Sequence, residues 1–142
     1  MARNFNGTQI NESVTIVEQA GAAITDCRNK LMKYDSNGKV VLAESGAAPI
    51  IGIAIIEAGY NDISGAESGK VAASDDVDIQ VKDIGYVIAS ADISKGAEVT
   101  ATTGGKAVTA TAGTYVIGTA LDSAHEDDYC RVQITKYQKN GE

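Results

Sequence analysis

The sequence predicts an all-β fold, a small antiparallel barrel or sandwich of about ten short strands with an internal hairpin repeat. Three observations predict it. Short runs of alternating or continuous apolar residues are rich in Val and Ile, and glycine- or asparagine-bearing turns separate them. No segment sustains a 3.6-residue apolar period, and the best helical candidate, 20–32, is interrupted by Gly21, Thr25, Asp26 and Asn29. Finally, the stretch 38–54, GKVVLAESGAAPIIGIA, returns at 104–120 as GGKAVTATAGTYVIGTA. Gly38 matches Gly105 and Gly46 matches Gly113, both 67 residues on; after one deletion, Ile51-Gly52 matches Ile117-Gly118, 66 on. The chain therefore reads as two variations on one hairpin-plus-strand unit.

In chain order, residues 1–12 are polar and aperiodic, with Phe5 and Ile10 the only bulky apolar residues after Met1. Two readings stand side by side: a frayed terminus, or an arm that orders on a partner. The body spans 13–137 as a single barrel-like domain, and 138–142 is a polar tail. Residues 13–19 alternate as the first strand, and 29–34 form the second. Asp35-Ser36-Asn37-Gly38 then gives an Asn-Gly hairpin, both residues tolerating positive φ, and 39–43 return. The run IIGIAII at 50–56 is apolar on both faces and reads as a central strand buried on both sides, with Gly52 marking a bulge or a close backbone approach. Residues 57–69 are a loop and 70–73 a short strand. Residues 77–82 place Val77, Ile79 and Val81 on one face, and 83–89 continue through Gly85. Ile93 is expected to plug the core. Strands follow at 97–102, 106–111, 115–121 and 129–137, with Lys39 and Lys106 as solvent-side strand starts.

Composition narrows the function. The 142 residues suit one domain, and 44% hydrophobic content without Trp and with one Phe implies a core of Val, Ile and Ala. Twelve basic against nineteen acidic residues leave a charge of −7, which repels nucleic acid. No run of eighteen apolar residues offers a membrane span, and the first residues lack the apolar core of a secretory signal, so synthesis in a cytosol is expected. There Cys27 and Cys130 read as two small buried thiols; a disulfide would need the first and last strands to be neighbours.

Chemistry is hard to build from these residues. His125 is the single histidine, and a solvated loop position is expected for it. Cys130 alternates with Val132 and Ile134, on the apolar side of its strand. The carboxylate groups Asp75-Asp76-Asp78 and Glu126-Asp127-Asp128 could take Ca²⁺ with help from loop carbonyls, but lack the EF-hand spacing and read as solvated turns. Gly104-Gly105-Lys106 lacks the phosphate-loop spacing. Six scattered tyrosines, without a tryptophan, weaken a carbohydrate cleft. No enzyme, cofactor or metal site is expected.

The sequence resembles the capsid decoration (cement) and head-fibre-base proteins of tailed bacteriophages. The resemblance rests on VDIQVKDIGYV from residue 77, ISKGAEV from 93, GKAV from 105, VIGTALDSA from 116 and RVQI from 131, with IGIA from 51, and covers 20–136. It implies a β-barrel-like domain, made in the host cytoplasm, that assembles as a homotrimer on the outer face of the virion. It would sit between major capsid protein subunits and lock the expanded head. The resemblance implies no nucleic-acid, membrane or cofactor partner. The capsid-binding candidates are Asn4, Phe5, Asn6, Gln9 and Ile10 of the arm, which lies outside the resembling stretch. The alternative within this class is a capsid-anchored fibre protein that holds a host-surface glycan.

Overall fold

The computed structural model describes residues 13–141. Their ten strands form two five-stranded antiparallel sheets. The first holds β1 (Thr15–Gln19), β2 (Leu31–Tyr34), β3 (Val40–Leu42), β4 (Gly52–Ala54) and β5 (Asp76–Gln80). The second holds β6 (Ile84–Ile88), β7 (Glu98–Ala101), β8 (Ala107–Thr109), β9 (Tyr115–Ala120) and β10 (Tyr129–Gln138). The sheets do not close on themselves, so of the two forms expected the sandwich is the one found.

The strand orders are β1-β5-β4-β2-β3 and β6-β10-β9-β7-β8, the same order shifted by five strands. The repeat legible over one hairpin and one strand therefore extends to all ten. Bridges outside the strands repeat as well: parallel Ala20–Val40 matches Ala89–Ala107, and antiparallel Ile24–Val71 matches Ile93–Ala124. So do left-handed residues, Gly38 with Gly105, Asn29 with Gly96 and Ser74 with Asp127. Lys39 donates to Ser74 Oγ at 3.0 Å and Lys106 to Asp127 Oδ1 at 2.7 Å. Both lysines, expected as simple solvent-side strand starts, are half-buried clamps between a hairpin and the loop before the last strand of their unit.

Several local expectations change. In the first hairpin only Gly38 takes positive φ; Asn37 does not, because the Asp35 carboxylate accepts from the Asn37 and Lys39 amides and shapes the turn. Residues 70–73 contribute a single bridge at Val71 rather than a strand. The run from 77 to 89 does not continue as one strand. It breaks at Asp83, which is left-handed, and β5 and β6 belong to different sheets. At the other end β10 takes in Gln138, and Lys139 donates from its amide to Thr114 O and from Nζ to Glu98.

Two apolar clusters form the core. The first sheet encloses Ala20, Ile24, Cys27, Met32, Val40, Ala54, Val77 and Ile79, among others. The second encloses Val87, Ile93, Val99, Ile117, Cys130 and Val132, and takes in Leu31, Ala43, Ile50 and Ile53 from the first unit. Ile93 is the core plug expected. β4 lies at the centre of its sheet, and its neighbours Ile53 and Ala54 enter different clusters, so it is buried on both faces as the IIGIAII run predicts. Ile53 and Ile117 share a cluster, which puts the two Ile-Gly-x-Ala strands near each other. Their contacts are not the reciprocal ones of a two-fold axis. Asn29 Nδ2 donates to Tyr86 O at 3.0 Å, and Asn29 O accepts from Ile88 N at 3.1 Å. Gly96, the counterpart of Asn29, makes no matching bond to β1 among the described residues.

The glycine in each central strand is a close approach of backbones. A methyl at Gly52 would lie 2.1 Å from the carbonyl oxygen of Gln80, and one at Gly118 would lie 1.9 Å from that of Gln133. Gly52→Ala and Gly118→Ala should each cost about 3 kcal/mol in urea unfolding. Gly113→Ala, left-handed but in open space, should cost only about 1 kcal/mol. Equal losses at all three would remove the close-approach explanation.

Candidate functional site

The arm residues Asn4, Phe5, Asn6, Gln9 and Ile10 lie outside the described residues. Within them, the groups weighed for chemistry are kept apart. His125 is exposed in its loop, with Nδ1 2.9 Å from Asp92 Oδ1; that hydrogen bond and the Asp92 charge raise its pKa above the ordinary value. Cys130 is fully buried beside Val132, and burial raises its thiol pKa. Cys27 sits in the other cluster, where burial and the Asp26 charge push it up to about 11. Both thiols are free. Neither is poised as a thiolate near pH 7. Among the described residues, no three His, Cys, Asp or Glu side chains gather closely enough to hold a metal ion, so the two acidic runs do not converge.

What the fold does assemble is a groove at the seam of the two units. Tyr86 and Tyr129, far apart in sequence, stand on the same side of paired strands, Tyr86 opposite Arg131 and Tyr129 opposite Ile88. With Ile53, Ala54, Ile55, Ile56, Glu57, Gln80 and Asn29 they line a cavity of about 430 Å³. Both tyrosines are more than half exposed. Two planar ion pairs flank them. Arg28 holds Asp26 through bonds of 2.9 Å at both Nε and Nη2. Arg131 holds Asp122 at 2.8 and 2.7 Å. Desolvation pushes the Asp26 carboxyl upward, but the Arg28 hydrogen bonds outweigh it and hold the acid below its ordinary range. Arg131 does the same for Asp122.

Asn29 closes the floor. It is left-handed, 95% buried given its exposure of 5%, and spends its amide nitrogen on Tyr86 O. Its Oδ1 has no hydrogen-bond partner among the described residues. A buried acceptor without a donor costs free energy that an incoming N–H or O–H would recover. The sequence hid this site because tyrosines 86 and 129 lie on different strands. The one local hint is an Asn where the repeat has Gly96, a departure visible only once the repeat is extended beyond 38–54.

The chain's fold is that of a phage protein. It is similar over 86% of its length to the crystal structure of the head fibre gp8.5 N base of bacteriophage phi29, covering 93% of that chain with a TM-score of 0.60 at 20% identity. No family model and no curated protein sequence matches it.

Two measurements test the site. Asn29→Ala should destabilise by about 2 kcal/mol in urea, from the lost bond to a buried carbonyl and the left-handed backbone; no change would show that Asn29 does not join the units. His125 should titrate above its ordinary value by NMR, and Asp92→Asn should bring it back down. Since the folded pKa is the raised one, this pair stabilises the fold below the unfolded histidine's pKa. Its contribution fades as pH rises through the folded value. An unaltered titration in Asp92→Asn would dissolve the pair.

Proposed function

We propose that the chain is a structural protein of a phage virion that binds the outer surface of the capsid as a decoration, or cement, protein and stabilises the expanded head. The observation that supports a phage head structural protein is the fold likeness to a head-fibre base, which spans nearly the whole of both chains and is shared by the decoration and fibre-base readings. The motifs that resemble decoration proteins agree with it. So does the charge of −7, which suits the outside of a nucleic-acid container better than its inside. Its partners in this reading are the major capsid protein and two further copies of itself. It is made in the host cytoplasm and performs no catalysis.

The mechanism is linkage. A protein that binds the assembled shell but not its separated subunits stabilises the shell by mass action, about 4 kcal/mol per site at a thousand-fold excess over Kd. Three copies held together add avidity, because weak contacts land as one. The arm candidates Asn4, Phe5, Asn6, Gln9 and Ile10 supply one such contact in this reading.

A second reading within the same class is a fibre base or glycan-binding head protein. The seam groove favours it. Two exposed tyrosines with Glu57 and Gln80 beside them offer the apolar faces and polar groups that match the alternating C–H faces and hydroxyls of a sugar.

Purified protein should bind expanded heads, fail to bind precursor shells, and raise the melting temperature of the heads it decorates. Absence of affinity for its own expanded heads would remove the decoration reading. Deletion of residues 1–12 should weaken binding while leaving the protein's own melting temperature nearly unchanged, and undiminished binding would discharge the arm. Glycan-array binding that disappears in Tyr86→Ala/Tyr129→Ala would favour the second reading over the first.

A further inference from the structure

The internal repeat works as a control on which residues the fold needs. In the second unit eight residues, 121–128, carry the chain from β9 to β10. In the first unit the same step, β4 to β5, takes twenty-one, 55–75. Both linkers make the matching bridge to the core, Ala124 to Ile93 and Val71 to Ile24, and both carry a left-handed residue, Asp127 and Ser74, two positions before the last strand. Thirteen residues of the first linker are therefore surplus to folding.

The surplus forms a built finger. At its base Tyr60 N donates to Lys70 O at 2.8 Å and Gly69 N to Tyr60 O at 2.7 Å, a short two-bond ladder. Cys27 N donates to Gly69 O, and buried Ala58 anchors the finger in the first cluster. Across its neck, Ser68 Oγ accepts from Asp62 N and donates to Asp62 O. The Asp62 carboxylate accepts from the Ser64 and Glu67 amides and gathers in the tip. With so much of its backbone satisfied internally, the finger nonetheless presents Ile63 wholly to solvent, with Tyr60 and Ile56 exposed along its flank. Ile63 is by far the most exposed large apolar side chain among the described residues, and none of those residues covers it.

The surroundings specify the partner. Residues 55–78 carry six carboxylates, Glu57, Asp62, Glu67, Asp75, Asp76 and Asp78, against the single Lys70, so a net −5 of the chain's −7 lies here. An apolar knob in an acidic setting fits an apolar socket rimmed by basic groups. We propose that the finger is the chain's docking element, with Ile63 as the anchor and Tyr60 beside it, inserting into a basic-rimmed apolar socket on the assembled capsid protein. This rests on the capsid-binding reading above and names the surface that performs it.

The test compares binding of point variants to expanded heads at two salt concentrations. Ile63→Ser and Ile63→Asp should weaken binding at least tenfold, the Asp variant more, while Ile63→Leu binds like the unaltered chain. Glu57→Lys should weaken binding at low salt and flatten its salt dependence. Each replaced side chain is exposed, so melting temperatures should match that of the parent. Parent and Ile63 variants binding equally well would overturn the docking finger and leave the capsid-binding reading standing. A parent that binds no heads would overturn both.

Discussion

The seam between the two units depends on Ile53 lying under Gly85. A side chain at residue 85 would have its first carbon 2.8 Å from Ile53 Cδ1, so the isoleucine of the first unit occupies space the second unit leaves open. Immediately beside it Ala54 faces the other cluster, and Gly52 lets the strand press against the Gln80 carbonyl. Three consecutive residues thus join two apolar cores and set the spacing of a sheet. With no Trp and one Phe in the chain, that joint must be made by interlocking small and branched side chains, where a missing or added methylene is felt directly.

The repeat explains why the joint runs one way. The counterpart of Gly85 in the first unit is Ile16, which is half-buried and packs against the first cluster. The counterpart of Ile53 in the second unit is Thr119. The first unit fills its own gap with Ile16, and the second unit has its gap filled by its neighbour. Asn29 completes the asymmetry: it takes the left-handed position that Gly96 holds in the other copy, and uses its side chain to hold β6. Two copies of one topology have become a plug and a socket, so the order of the units along the chain is also their order in packing.

The same asymmetry shapes the surface on which docking is proposed. The seam creates the Tyr86–Tyr129 groove, and the surplus linker of the first unit projects beside it, since Ile56 and Glu57 border both. The flanking Arg–Asp pairs are substantially exposed and add little to stability. Their effect is to hold planar charged groups in fixed orientations around the groove. The repeated elements hold the core, and the groove and the finger both lie where the repeats differ.

The sequence by itself determined the class and the scaffold. Alternation at 77–82, the doubly apolar run 50–56 and the glycine-paired repeat yield all-β structure, a central strand buried on both faces and a duplicated hairpin, because strand periodicity and turn chemistry are local properties. It also placed Cys130 in the core and Ile93 as a plug, for the same reason. Only the tertiary structure decided how the units meet. Whether 77–89 is one strand or two turns on the backbone of Asp83, which is left-handed where the chain passes from one sheet to the other. That Lys39 and Lys106 clamp distant loops, that Tyr86 and Tyr129 share a groove, and that Asn29 keeps an unpaired oxygen are long-range facts. They arise from strand order, which residue patterns along the chain do not encode. The surplus length of 55–75 was in the sequence all along, but it became a finger with Ile63 at its tip only once the shorter path of the second unit was seen to do the same structural work.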